Sequence, residues 1–231
     1  MSIIQGDCLQ ILPTMPEKSV DIIMTSPPYN VGLKYPTYDD KRVDFYEWLE
    51  LCLGQFHRVM SDNSRMYLII HEDMIYKLRP LAEANNFKYH QLLVWNKSNM
   101  ASPSRISKDW NCMAEWCQLY HKGKRTTMIN EIQGVKTFNW ITESTPQSNF
   151  KNNHKRQFIA QMSVKVCYAW LARTPGKTVL DPFCGSGTTL IAAKQLNKDY
   201  IGIDIDPVTI DLAKKRLSNC AYYQQEQISL L

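Results

Sequence analysis

Short apolar runs of strand length recur along the chain, and each ends in polar or turn-forming residues. These runs cover residues 3–4, 20–24, 65–70, 177–180 and 200–203. Runs that are apolar at consecutive positions are typical of strands buried on both faces, as in parallel sheets. Residues 115–121 instead alternate between apolar and polar side chains, which indicates a strand with one covered face.

Segments with helical periodicity separate the apolar runs. They cover residues 7–12, 45–60, 163–173 and 188–196. In the second segment Phe45, Leu49, Leu53 and Phe56 recur at i, i+4, i+8 and i+11, which places them on one helical face. The alternation of strands and helices predicts a doubly wound, Rossmann-like α/β sheet.

The middle of the chain departs from this alternation. Residues 96–160 are rich in Ser, Asn, Lys, Thr and Trp, and contain few apolar runs. We therefore divide the chain at residues 1–95, 96–160 and 161–231, and interpret the middle segment as a small insertion into one α/β domain.

Composition excludes several classes of protein. The chain has 231 residues, 44% hydrophobic and 21% charged, which excludes a disordered chain, a collagen and a coiled coil. No apolar run approaches 18 residues, and residues 1–7 lack a signal-peptide pattern, so we expect no membrane span and a cytoplasmic location. Seven cysteines occur without a CxxC pair, so we expect free thiols and no metal site.

A glycine-rich turn follows the fourth apolar run. Asp181 ends that run, Gly185 and Gly187 allow a tight turn, and Thr188 stands where the amides of a helix begin. Asp204 ends the next run 23 residues later, which is the spacing of an acid that binds ribose hydroxyls. Neither a phosphate-loop lysine nor the third Rossmann glycine is present. The pattern favours a nucleoside ligand with a cationic centre, such as S-adenosylmethionine, over glycines that serve packing alone.

A second turn follows the run at residues 20–24. Pro27 and Pro28 have no backbone N–H, so the turn presents acceptors, including the Ser26 hydroxyl, beside the ring of Tyr29. Such a turn is suited to holding an amino group and stacking on its ring. Taken alone, the turn is better explained as a proline pair that ends a strand.

Together the two turns resemble the DNA amino-methyltransferases, whose catalytic motif is [DNS]-P-P-[YFW]. Ser26, Pro27, Pro28 and Tyr29 match that motif, and residues 181–189 match the cofactor motif of the same family. The catalytic motif precedes the cofactor motif, which is the order of the family's beta class, a circular permutation of the usual arrangement. The resemblance covers nearly the whole chain and implies S-adenosylmethionine as cofactor.

The resemblance also assigns cofactor contacts. The residues that match cofactor-binding positions are Asp7, Asp181, Phe183, Cys184, Gly185, Gly187, Thr188, Asp204, Ile205, His154 and Phe158. Asp7 is equally well explained as a helix N-cap. His154 begins a segment in which Lys155 replaces the usual proline, a departure from the family pattern.

The resemblance implies methyl transfer to an exocyclic amino nitrogen without a covalent adduct, and the chain contains no Pro-Cys dipeptide for a cysteine nucleophile. Hydrogen bonds from the amino group to Ser26 and to the Pro27 carbonyl would localise the nitrogen lone pair for attack. The target base would leave the duplex and stack on Tyr29. Ser-Pro-Pro-Tyr favours N4 of cytosine, and N6 of adenine is the alternative.

The net charge of +5 is unevenly distributed. Residues 96–177 hold 13 Lys and Arg against 4 Asp and Glu, a balance of +9, whereas the remainder holds 14 against 18, a balance of −4. In the family this segment includes the target-recognition region, so we expect double-stranded DNA as partner and phosphate contacts from its basic residues. The predicted DNA-binding residues are Lys34, Lys97, Arg105, Lys108, Lys124, Arg125, Lys136, Lys151 and Arg156.

Several alternatives stay open at this level. An RNA or protein methyltransferase and a nucleic-acid binder without activity are the competing functions, and a homodimer and a cognate restriction enzyme are further partners that the resemblance allows. Residues 30–42, which follow the catalytic turn, are expected to order over the flipped base when DNA binds.

Overall fold

The computed structural model describes residues 1–32, 37–38, 40–98, 113–129, 138–146 and 161–220. Within these ranges the chain forms eight strands and six α-helices. The strands are β1 (Ser2–Gln5), β2 (Val20–Thr25), β3 (Met60–Ile70), β4 (Lys88–Lys97), β5 (Ala114–His121), β6 (Trp140–Glu143), β7 (Thr178–Asp181) and β8 (Asp199–Asp204). The helices are α1 (Cys8–Ile11), α2 (Phe45–Val59), α3 (Ile75–Ala84), α4 (Val164–Ala172), α5 (Thr188–Gln195) and α6 (Pro207–Ser218). No helix in these described ranges is long and apolar enough to cross a bilayer.

All eight strands join one sheet in the order β1-β8-β7-β2-β3-β5-β4-β6. Only β5 runs against the others, because it pairs antiparallel with both β3 and β4. The predicted α/β sheet is therefore confirmed, and each predicted apolar run falls within a strand, to within one residue at its ends. Strand β2 pairs directly with β7, through Ile22 with Val179 and Ile23 with Leu180, although the partners lie far apart in the sequence.

Helices cover both faces of the sheet, as the doubly wound prediction requires. Neighbouring residues of β2 point to opposite faces, so Ile23 packs with α1, α2 and α3, whereas Ile22 packs with α4 and α5. The predicted apolar face of α2 is buried, since Phe45, Leu49 and Leu53 are at most 1% exposed.

The middle segment contributes the predicted strand at residues 115–121 to the sheet, as β5. Strand β4 crosses the proposed boundary at residue 95, and β5 lies inside the sheet between β3 and β4. Within β5 the buried Gln118 donates to the Ile75 carbonyl at 2.8 Å, so its amide N–H is satisfied within the core.

The centre of the sheet contains a topological switch point. From β7 the chain continues to β8 on one side, and from β2 it continues to β3 on the other. In open α/β sheets the helix connections diverge at such a point and leave a crevice at the carboxyl ends of the strands. Here those ends are Thr25 of β2 and Asp181 of β7, which carry the two predicted turns.

Candidate active site

The two predicted turns meet in one cleft at the switch point. Thr25 donates a hydrogen bond of 2.6 Å from its hydroxyl to the carboxyl of Asp181, across 156 residues of sequence. The cleft is lined by both turns and by the end of β8. Its lining residues include Gly6, Asp7, Ser26, Pro27, Pro28, Tyr29, Trp48, Asp181, Phe183, Cys184, Gly185, Thr188, Asp204 and Ile205. The structure thus brings together the predicted catalytic and cofactor residues that it describes, apart from Gly187, which shapes the adjoining turn.

Asp181 is a buried carboxyl in the wall of the cleft, only 4% exposed. Burial raises its pKa to about 6 from an ordinary 3.8, although hydrogen bonds from Thr25, Thr189 and the Phe183 amide act in the opposite direction. A carboxylate placed where solvation is poor interacts strongly with any cation that enters beside it. Its position therefore suits a positively charged ligand.

Asp204 holds the glycine-rich turn in shape. One carboxyl oxygen accepts from the Gly185 amide at 2.8 Å, and the other accepts from the Asp206 amide at 2.9 Å and from the Thr209 hydroxyl at 3.1 Å. Burial raises the pKa of Asp204, and these bonds limit the rise. A carboxylate offers about four lone-pair positions, so about one remains for a ligand hydroxyl.

The conformation of the turn depends on its second glycine. Gly187 adopts a φ of +78°, which L side chains rarely occupy, and immediately precedes α5. A Cβ atom built on Gly187 would lie 2.9 Å from the Ala213 Cβ of α6. Glycine at this position therefore permits both the backbone turn and the close approach of the two helices.

Apolar side chains complete the cofactor side of the cleft. The rings of Trp48 and Phe183 lie 5.5 Å apart between centroids, and Ile205 remains 44% exposed at the mouth. An exposed isoleucine beside the carboxylate of Asp204 offers a surface for a flat ring. Asp7 is confirmed as the N-cap of α1, because it accepts from the Leu9 amide at 2.9 Å, and it also lines the cleft.

The catalytic turn is the start of a directed chain of hydrogen bonds. The Ser26 hydroxyl donates to the Tyr29 hydroxyl at 3.0 Å, and Tyr29 donates to Glu115 of β5 at 3.2 Å. Lys97 of β4 forms an ion pair with the other Glu115 oxygen at 2.5 Å. Glu115 was missed by the sequence analysis, since it is one acid in an alternating strand and lies 86 residues from Tyr29.

Three predicted DNA-binding residues occupy unexpected positions. Lys97 has a side chain only 10% exposed and is paired with Glu115, the acceptor of the Tyr29 hydroxyl, so it does not lie on an open surface. Lys124 and Arg125 are exposed, but they follow the end of the antiparallel β5, where His121 pairs with Arg65. They therefore lie toward the sheet edge opposite the catalytic turn.

Other predictions lie outside the described residues. These are the cofactor residues His154 and Phe158 and the DNA-binding residues Lys34, Arg105, Lys108, Lys136, Lys151 and Arg156. Residues 30–42 are predicted to order over the flipped base. The two ends of this loop are joined by a pair of hydrogen bonds between Asn30 and Arg42. Asn30 donates its side-chain amide to the Arg42 carbonyl at 3.1 Å, and the Arg42 amide donates to the Asn30 side chain at 2.8 Å.

Comparison with known proteins agrees with this geometry. The sequence model of a DNA methylase family, the N6 and N4 methylases, matches residues 20–215. Type II methyltransferase M.HinfI of Haemophilus influenzae is 29% identical over 94% of this chain and 68% of its own length.

Two solved structures share the architecture. A complex of M1.HpyAVI with S-adenosylmethionine is 25% identical, with a TM-score of 0.70 over 94% of this chain and 99% of the other. The cytosine-N4-specific PvuII DNA methyltransferase is 17% identical, with a TM-score of 0.76 over 99% of this chain and 89% of the other. A chain that matches the family over most of its length, and whose two turns close one cleft, belongs to the N6 and N4 DNA methylases and is an S-adenosylmethionine-dependent DNA methyltransferase.

Proposed function

We propose that this enzyme methylates the exocyclic amino group of a base flipped out of double-stranded DNA, and that its target is N4 of cytosine. The observation that carries the proposal is the joining of the Ser26–Tyr29 turn to the cofactor loop by the Thr25–Asp181 hydrogen bond. This bond places amino-group acceptors and a cation-binding carboxylate on the walls of one cleft.

The Ser26 hydroxyl is oriented to accept a hydrogen bond from the amino group of the target base. Its single hydrogen is donated to Tyr29, so its lone pairs are left for an incoming amino hydrogen. The following Pro27 and Pro28 contribute carbonyl oxygens but no N–H that would repel an amino group. Two acceptors on one amino group draw its lone pair out of conjugation with the ring, and the preorganised turn requires no rearrangement to do so.

Glu115 acts through Tyr29 as a positioning residue. A carboxylate can only accept, so the Tyr29 hydroxyl directs its hydrogen to Glu115 and accepts from Ser26. This order of donors is what leaves the Ser26 lone pairs available. Lys97 holds Glu115 in place through the ion pair of 2.5 Å.

The cofactor side of the cleft fits S-adenosylmethionine. When bound, the cofactor supplies an electrophilic methyl group on a positively charged sulfur. We assign Asp181 to the positive charge of the methionine portion, Asp204 to a ribose hydroxyl, and Ile205 with Phe183 to the apolar surfaces of the ligand. The raised pKa of Asp181 supports the first assignment, because burial leaves its carboxylate short of compensating charge.

Double-stranded DNA is the substrate, as in the family, and a base must leave the duplex to enter the cleft. We assign target recognition to the basic segment within residues 96–160, from its charge balance, and retain the homodimer and the restriction partner as predictions. Ser26 supports cytosine over adenine, because serine replaces the aspartate that is usual in the catalytic motif of adenine enzymes.

A product analysis tests the proposal. The protein is incubated with radiolabelled S-adenosylmethionine and unmethylated duplex DNA, and the DNA is digested to nucleosides. We expect label in N4-methylcytosine. Label in N6-methyladenine would refute the cytosine assignment, and absence of label from DNA of varied sequence would refute the activity.

Variants connect the product to the turn. Ser26→Ala should lower kcat by about a hundredfold, since it removes one of two acceptors, and leave cofactor affinity within twofold. Ser19→Ala, at an exposed serine that bonds only the Pro16 carbonyl, is the matched control and should retain full activity. Full activity of Ser26→Ala would show that the hydroxyl is not an acceptor in the reaction.

A further inference from the structure

A second cavity lies on the α4 side of the sheet and has no role in the methyl-transfer site. Its volume is about 470 Å³, and it is bounded by β3, β4, β5, β6 and the end of α4. Arg65, near the middle of β3, forms part of its wall. Five residues of strand separate Arg65 from the carboxyl end of β3, a distance of roughly 16 Å, so this cavity is distinct from the catalytic cleft.

Arg65 is a buried cation with an unmet donor. The residue is 1% exposed, its Nε donates to the Thr126 hydroxyl at 3.2 Å, and its Nη2 donates to the Thr126 carbonyl. Its Nη1 has no hydrogen-bond partner among the residues described. Arginine does not lose its proton in proteins, and a buried charge without a counter-charge is costly. An anion in the cavity would remove that cost.

The surroundings of Arg65 carry the same sign of charge. Arg125 and Arg173 also line the cavity, and no Asp or Glu does so within the described part of the chain. Nearby, the pKa values of His90 and His121 are lowered, first by burial and then by repulsion from positive groups that include Arg65 and Arg125. The field in this region is therefore positive and is not balanced by a lining carboxylate.

Trp170 of α4 carries a second unmet donor. Its indole N–H is buried and has no partner among the described residues, and Trp170 lines the cavity. The residues that line the cavity thus include two buried N–H donors without a described partner, one on β3 and one on α4. A ligand that satisfies them must bring several acceptor oxygens and negative charge, which is the chemistry of a phosphate group.

We propose that this cavity binds a small phosphate-bearing compound, with its phosphate oxygens on Arg65, Trp170 and Arg125. Phe138 on the rim, 58% exposed and stacked on Trp140, offers a flat surface to an attached base or other ring. A small ligand is favoured over a DNA strand, because a duplex cannot bring its backbone onto a guanidinium that is 1% exposed.

Calorimetry and thermal unfolding of the whole protein test the proposal. The probes are inorganic phosphate and a nucleoside 5′-monophosphate, with chloride at equal ionic strength as the reference. We expect both probes to bind and to raise Tm. Arg65→Met should abolish both effects, and its Tm without phosphate should not fall below that of the wild type, since the variant removes a buried charge that is paired with no carboxylate among the described residues.

A rim variant keeps the test valid if Arg65→Met does not fold. Arg125→Gln, at an exposed position, should weaken phosphate binding by about tenfold. Lys124→Gln removes the same charge one residue away without lining the cavity, and should change the affinity less than twofold. No binding by the wild type, or equal loss in both rim variants, would overturn the proposal. The proposal would also be overturned if neither phosphate nor the nucleoside monophosphate bound while Arg65→Met and Arg125→Gln weakened binding of duplex DNA, since that result would assign the arginines to DNA binding.

Discussion

Replacing Asp181 by Asn separates the stability of the active site from its function. Both hydrogen bonds resolved to the Asp181 side chain, from the Thr25 hydroxyl and the Phe183 amide, reach the same oxygen. The Asn carbonyl oxygen can accept both bonds. The remaining partner, Thr189, is a hydroxyl that can rotate to accept from the new amide. The substitution therefore removes the charge and preserves the hydrogen bonds.

The magnitude follows from the pKa of Asp181. Burial raises that pKa from 3.8 to about 6 in the folded protein, and a change of one in pKa corresponds to about 1.4 kcal/mol. Ionised Asp181 thus lowers the free energy of unfolding by about 3 kcal/mol. Because the folded pKa lies above the unfolded one, this loss of stability grows as pH rises from about 4 to about 6 and is complete above that range.

Urea unfolding at two pH values measures the effect. Asp181→Asn should be more stable than the wild type by about 3 kcal/mol at pH 8 and by about half of that at pH 5. Calorimetry with S-adenosylmethionine at pH 8 should show a Kd at least about tenfold weaker, because the buried negative charge that faces the cofactor is gone.

Asp21→Asn is the matched control with the opposite sign. Burial tends to raise the pKa of Asp21, but bonds from the Thr178 and Lys177 amides and from Ser61 outweigh it, and the pKa is lowered. Its carboxylate therefore contributes stability above the unfolded pKa, and Asp21→Asn should be less stable than the wild type at pH 8. If Asp181→Asn and Asp21→Asn were equally destabilised at both pH values, the conclusion that the ionised Asp181 carboxylate lowers the free energy of unfolding would be refuted.

Three further predictions address the rest of the site. Glu115→Gln should lower kcat by about tenfold in steady-state kinetics, with little change in the cofactor Kd measured by calorimetry. When Glu115→Gln is added to a Tyr29→Phe variant, it should lower kcat no further, because the hydroxyl that Glu115 positions is already absent. Asp204→Ala should weaken cofactor binding by at least about tenfold in calorimetry, because it removes a ribose acceptor and the bond that shapes the turn. Gly187→Ala should lower the free energy of unfolding in urea by about 1–3 kcal/mol, from the positive φ and the contact with Ala213.

Local pattern predicted the parts of this protein whose structure depends on near neighbours. The apolar runs became strands of the sheet, and the spacing of Phe45 and Leu49 became a buried helix face. The glycine-rich turn immediately precedes α5. The spacing of apolar residues and the residue types of the turns suffice to predict these features, because a helix or strand that is buried on one or two faces has apolar residues at regular positions in its sequence. The pairing of the two turns was also predictable, since both follow strands and parallel strands end at one edge.

Sheet order decided what the sequence could not indicate. Glu115 reaches Tyr29 only because β5 inserts antiparallel beside β3, and the same reversal carries Arg125 to the opposite edge of the sheet. Lys97 carries the same charge as the other predicted DNA-binding lysines, but its position on β4 pairs it with Glu115 of β5. The sequence by itself determined the fold class, the cofactor turn and the catalytic motif. The tertiary structure alone decided which charged side chains come into contact. Strand pairing between distant segments sets those contacts, and it produces no periodic pattern in the local sequence from which they could be predicted.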